Sequence, residues 1–118
     1  MRAALTILFS AILAAMLHAT VAASLERSVL DAATDLLRDA WFRATLADAY
    51  FGFLTIWLWI AYRERGLARR ALWLVLVLGL GNIAIAGYVL LQLARLRPGE
   101  PVERILLRRE AVPARQAR

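Results

Sequence analysis

Three long apolar runs constrain this chain more than any other feature. Ala3 to Ala23 holds no charged residue, Ala44 to Tyr62 holds only Asp48, and Ala71 to Leu93 again holds none. At about 1.5 Å rise per residue each is long enough, as a helix, to cross a hydrocarbon layer of about 30 Å. The chain has 118 residues, 62% of them hydrophobic. Soluble domains carry roughly 45–50%, and a domain this small has too much surface to hide the excess. The pattern predicts an all-α, single-domain integral membrane bundle over residues 1–118. It has three transmembrane helices, at about 3–23, 44–62 and 71–93, with an amphipathic helix after the first span.

That amphipathic segment covers residues 24–40. Leu25, Val29, Ala32, Ala33, Leu36, Leu37 and Ala40 recur at helical spacing, with Arg27, Asp31, Asp35, Arg38 and Asp39 opposite. Trp41 and Phe42 follow at what reads as headgroup level. The first run has a rival reading as a signal peptide, with Arg2 as its basic start and Val21-Ala22-Ala23 as its cleavage site. Its length favours a retained span, because signal h-regions run roughly 7–15 residues. Pro98-Gly99-Glu100-Pro101 marks a turn after the third run. Val102, Ile105, Leu106 and Arg109 then read as one or two amphipathic turns that start at Pro101. The tail at 94–118 is expected to be partly disordered, from Ala111 onward.

Charge sets the orientation. Fifteen arginines, no lysine and nine acids give a formal net charge of +6. The arginines cluster at the ends of the apolar runs, which suits span flanks and not a nucleic-acid surface. The 63–70 connection is rich in arginine and the 24–43 segment is acidic. The positive-inside rule therefore places the connection and the N-terminus in the cytoplasm, in what reads as a bacterial cytoplasmic membrane. Three spans put the tail, with its seven arginines, on the outer side, against the same rule.

Polar residues inside the runs are the candidate functional positions. In a three-span arrangement His18, Asp48, Tyr88 and Gln92 share one depth near the outer face and form a candidate intramembrane polar cluster. Asp48 also suits a helix start, where the dipole favours an acid. Small and polar residues make packing stripes. Asp48, Gly52, Thr55, Trp59 and Tyr62 share a face of the second run. Gly81, Ala84, Tyr88, Gln92 and Arg95 do so in the third, and Ala11, Ala15, His18 and Ala22 in the first. Asn82 lies near mid-span and needs a partner of its own. Such stripes serve packing within the bundle, self-association, or docking to a larger membrane complex.

No chemistry is legible. The chain lacks cysteine, which excludes disulfides and thiolate sites. One histidine and one carboxylate fall short of a metal set. Gly79-x-Gly81 sits in an apolar helix without the strand a nucleotide loop needs. The aromatics Trp57, Trp59, Tyr62 and Trp73 fit an interfacial belt without any ligand. The expectation is a non-enzymatic protein without cofactor, whose partners are the lipid bilayer and either itself or a larger membrane complex. The alternative is a small oligomeric transporter or channel with Asp48 and His18 near its outer mouth.

Several short patterns occur together. They are Asp48 and Tyr50, Trp59-Ile60-Ala61-Tyr62-Arg63-Glu64, Trp73, Gly81-Asn82-Ile83, Tyr88, Leu91-Gln92-Leu93, and Leu106-Leu107-Arg108. Over roughly Ala44 to Arg108 the chain resembles a family of small membrane proteins known mainly as a domain of unknown function. The resemblance implies a multi-span helical membrane protein and no particular activity.

Overall fold

The computed structural model describes residues 1–109. Five α-helices follow in order: α1 (Arg2–Glu26), α2 (Val29–Leu36), α3 (Ala40–Arg63), α4 (Leu67–Leu80) and α5 (Asn82–Ala94). A 3₁₀ turn at Val102–Leu106 follows them. The expected start at Pro101 holds, since Pro101 is its N-cap in extended conformation. The disorder expected from Ala111 lies outside the described residues.

Helices α1 and α3 have the length and apolar composition to cross a membrane. Between them the 24–40 segment does not form one helix. α1 continues to Glu26, Arg27 is extended, and Ser28 starts α2. The Ser28 hydroxyl accepts from the Asp31 backbone N–H at 3.2 Å, a side-chain N-cap. Arg27 reaches forward to the Asp35 carboxylate. Asp39 caps α3 by accepting from the Phe42 N–H at 2.8 Å.

The third apolar run departs from the expectation of one span. It breaks at Gly81, whose φ of +55° and ψ of −125° end α4 and begin α5. An L side chain rarely adopts that conformation, so glycine is required at this point. A side chain would also crowd the Phe53 ring, which would have to shift, because a Cβ on Gly81 would stand 2.8 Å from Phe53 Cζ. The chain doubles back, and the rings of Trp73 and Tyr88 meet edge-on at 4.7 Å. In an unbroken helix fifteen residues would separate them by about 22 Å along the axis. α4 and α5, at 14 and 13 residues, are each about 20 Å long, shorter than a span.

α5 is the most buried element, packed between α1 and α4, with α4 against α3. One core joins Ile60 of α3, Val77 of α4 and Ala84 and Tyr88 of α5. A second joins Val89, Leu93, Leu96 and Ile105, with Leu5 and Phe9 of α1 against it. Tyr50 braces the hairpin by donating its hydroxyl to the Leu78 carbonyl at 3.1 Å. That carbonyl lies in the last turn of α4, where no backbone donor is available to it. The second half of α1, all of α2 and the first turns of α3 contribute nothing to either core. The molecule is correspondingly long, at 63 × 30 × 21 Å.

Candidate functional site

Because α4–α5 is a hairpin, five chain segments meet at one end. They are the start of α1, the end of α3, the start of α4, the end of α5 and the 3₁₀ turn. Tyr88 is fully buried there. Its ring contacts Trp59 edge-on at 5.5 Å and Trp73 at 4.7 Å. Such aromatic pairs add about 0.5–1.5 kcal/mol each beyond area burial. The Tyr88 hydroxyl donates to Glu64 Oε1 at 3.0 Å. Glu64 is itself buried, with Arg69 Nη1 3.9 Å from Oε2. The Glu64 side chain thus ties the end of α3 to both arms of the hairpin.

Arginines cap the helix ends around this carboxylate. The C-termini of α3 and α5 both emerge here, each with unsatisfied carbonyls and a partial negative charge. Arg70 Nε donates to the Glu64 carbonyl at 3.1 Å and Arg108 Nε to the Tyr62 carbonyl at 2.6 Å. Arg109 donates to the Arg95 carbonyl at the end of α5. The 3₁₀ turn is strapped down in the same way. Arg63 donates to the Ile105 carbonyl, and Trp59 Nε1 donates to the Leu106 carbonyl at 3.2 Å. Arg63 also lies over the Trp59 ring, 5.8 Å from its centroid, and Arg108 over Tyr62 at 5.3 Å.

The two ends differ sharply in charge. Among the described residues, Arg2, Arg63, Arg65, Arg69, Arg70, Arg95, Arg97, Arg104, Arg108 and Arg109 lie at the Glu64 end, with Glu64, Glu100 and Glu103 as the acids. The opposite end carries Arg27, Arg38 and Arg43 against Glu26, Asp31, Asp35, Asp39 and Asp48.

The proposed polar cluster divides between these two ends. Tyr88 and Gln92 are buried at the Glu64 end. Asp48 is exposed, sixteen residues before Glu64 on α3 and so about 24 Å away along the helix. His18 is exposed nine residues, about 13 Å, beyond Phe9, where α1 meets the second core. Their common depth required a straight third span, which the break at Gly81 removes.

The α3 stripe is also turned relative to expectation. Gly52, Thr55 and Tyr62 are exposed, and of that set only Trp59 faces inward. The face α3 buries carries Phe53, Ile56, Trp57 and Ile60, whose bulk fills the space beside α4. In the hairpin Ala84 is buried, Gly81 is half-buried at the turn, and Asn82 is exposed. Among the described residues no group of three His, Cys, Asp or Glu side chains is placed to hold a metal ion.

Glu64 and Arg63 went unmarked as site residues in the sequence, where they read as a span end, and Trp59 was marked only as part of a packing stripe and an aromatic belt. The one available signal was an acid inside an otherwise basic 63–70 connection.

The fold and this end define a small all-helical protein with two helices long enough to cross a membrane and a half-length helical hairpin packed between them. The chain belongs to the family described as protein of unknown function (DUF1475), whose model matches residues 3–112. Comparison with curated proteins and with solved structures gives no match.

Proposed function

We propose that the chain is a non-enzymatic integral membrane protein that acts as a self-associating or accessory scaffold. α1 and α3 cross the bilayer and the α4–α5 hairpin enters and leaves through one face. The N-terminus, the 63–70 connection and the tail through Arg109 then lie together in the cytoplasm of a bacterium. This arrangement agrees with the positive-inside rule at every arginine cluster among the described residues.

The observation that carries the scaffold role is the direction of the small-residue stripes. Ala11, Ala15, His18 and Ala22 of α1 and Gly52 and Thr55 of α3 are all exposed, while each helix packs internally through bulkier residues. Small residues on a lipid-facing surface allow close approach by another helix. The absence of cysteine makes single-cysteine variants clean probes. Ala15→Cys and Gly52→Cys are expected to form intermolecular disulfides in native membranes, whereas Phe53→Cys is not. A monomer in mild detergent without cross-links at either stripe refutes self-association.

Single cysteines also test the topology. Glu100→Cys should react with an impermeant maleimide from the same side as Arg65→Cys, and Asp35→Cys from the other. Labelling of Glu100→Cys together with Asp35→Cys would restore three full spans.

The interrupted run at Gly81 favours a second reading, a small oligomeric transporter or channel, because broken helices line binding sites in many transporters. Asp48-dependent ion flux in liposomes would support it.

A further inference from the structure

We propose that the arginine-rich end binds one anionic phospholipid of the cytoplasmic leaflet, with its phosphate on the α5 face of Gln92 and Arg95 beside Arg63. One acyl chain lies in the groove on the other side of Trp59. The inference rests on the membrane placement argued above, and two independent observations carry it.

The first is a surplus of donors. Gln92 is only 4% exposed, yet its Nε2 has no hydrogen-bond partner among the described residues. Arg63 Nε is likewise buried and unpartnered. Buried donors left without acceptors are rare and costly. Tyr88, Gln92 and Arg95 share one face of α5 at i, i+4 and i+7. Arg95 and Arg109 stand near enough to Arg63 to oppose its charge, with Glu64 as the attracting carboxylate. That carboxylate is already engaged by Tyr88 and Arg69. The face thus has excess positive charge and spare N–H groups, the chemistry that takes a phosphate.

The second is the groove. It measures about 580 Å³ and runs between α1 and α3 over α5, lined by Leu5, Phe9, Ile56, Trp59, Ile85 and Val89 and closed by the 3₁₀ turn. From the end of α5 at Ala94 back to Ile85 is about 14 Å of helix, close to half the hydrocarbon thickness. The groove therefore has the depth of one leaflet. Trp59 is the common wall, lining the groove while Arg63 lies over its ring. Glu103 is the one acid in the lining and suits a headgroup hydroxyl. A free phosphate would use only the arginine face and a neutral hydrocarbon only the groove. A phospholipid with a net negative headgroup uses both, as basic pockets between membrane helices do.

The test is native mass spectrometry of the full chain in mild detergent, titrated with phosphatidylglycerol, phosphatidylcholine or inorganic phosphate. One phosphatidylglycerol should be retained per chain, with a preference over phosphatidylcholine of about tenfold or more. Gln92→Leu removes an unpartnered donor, so it should fold at least as well by circular dichroism and lose most of the preference. Val89→Phe, which fills the groove, should reduce retention of both lipids. Equal retention of the two lipids by the wild type, or an unchanged preference in Gln92→Leu and Arg63→Gln, overturns the proposal. So does inorganic phosphate that stabilises the chain as well as phosphatidylglycerol does, which would assign a free-phosphate site. Failure of the chain to float with vesicles overturns this proposal and the membrane reading together. Flotation without lipid preference overturns this proposal alone.

Discussion

Gly81→Ala separates a hairpin from a straight third span because the two backbones predict opposite signs. In the hairpin, alanine must adopt φ +55° and ψ −125°, which costs about 1–3 kcal/mol for a non-glycine residue. Its Cβ also arrives 2.8 Å from Phe53 Cζ, and forcing an extra methyl into packed space costs about 1–3 kcal/mol more. The expected loss is therefore on the order of 2–6 kcal/mol. In an unbroken helix the same change gains about 0.8–1.0 kcal/mol, the ordinary glycine-to-alanine difference. Gly79 and Gly87 are built-in controls. Neither has an atom within 4 Å of its would-be Cβ, and neither has a positive φ. Gly79→Ala and Gly87→Ala should be neutral or stabilising by up to about 1 kcal/mol.

The measurement is reversible unfolding in mixed detergent micelles, followed by circular dichroism. A Gly81→Ala midpoint that moves with Gly79→Ala, in sign and size, refutes the break at Gly81. Phe53→Leu in the Gly81→Ala background separates the two costs. It should recover the contact part, about 1–3 kcal/mol, and leave the torsional part in place. Complete recovery would mean that the backbone conformation of Gly81 carries no strain for alanine.

Other predictions concern the Glu64 end and the short helix. Tyr88→Phe leaves a buried carboxylate without its hydrogen bond and should cost about 1–3 kcal/mol, read as a lower unfolding midpoint. Glu64→Gln keeps an acceptor for the tyrosine and removes the buried charge, so it should cost clearly less than Tyr88→Phe. Ile105→Ala should cost about 2 kcal/mol and speed hydrogen exchange over 102–107, with α1 unchanged. Ser28→Ala removes the α2 N-cap, at about 1 kcal/mol, and its faster exchange should stay confined to residues 28–37.

Much of the helix content was legible in hydropathy. The expected limits of the first two apolar runs fall inside α1 and α3, and Pro101 correctly marked the 3₁₀ turn. The turn at Gly81 escaped because hydropathy reports burial and not backbone torsion. Gly79, Gly81 and Gly87 look alike in the sequence, and only Gly81 faces Phe53 across a reversal. The division of the His18, Asp48, Tyr88 and Gln92 set between two ends follows from that one torsion. With the run straight, Tyr88 and Gln92 rise to the level of His18 and Asp48. With it folded, they descend to Glu64, a residue that a straight-span reading places at the other end of the molecule. The split of the 24–40 segment was harder to see, since Ser28 fits the polar face of a continuous amphipathic helix as well as it fits an N-cap.

The arginines give an independent argument for the fold. A straight third run would strand the tail's charges on the acidic side of the molecule, against the positive-inside rule in the membrane placement proposed above. The hairpin returns Arg95, Arg97, Arg104, Arg108 and Arg109 to the side of Arg2, Arg63, Arg65, Arg69 and Arg70. Once there, several of them acquire work in the packing. Arg108 and Arg109 satisfy carbonyls at the ends of α3 and α5, which would otherwise stay bare where two negative helix ends converge. In the membrane placement proposed above, a tail on the other side of the bilayer would lose these bonds. Torsion at Gly81, capping at the helix ends and the sorting of charge thus select the same topology for separate physical reasons.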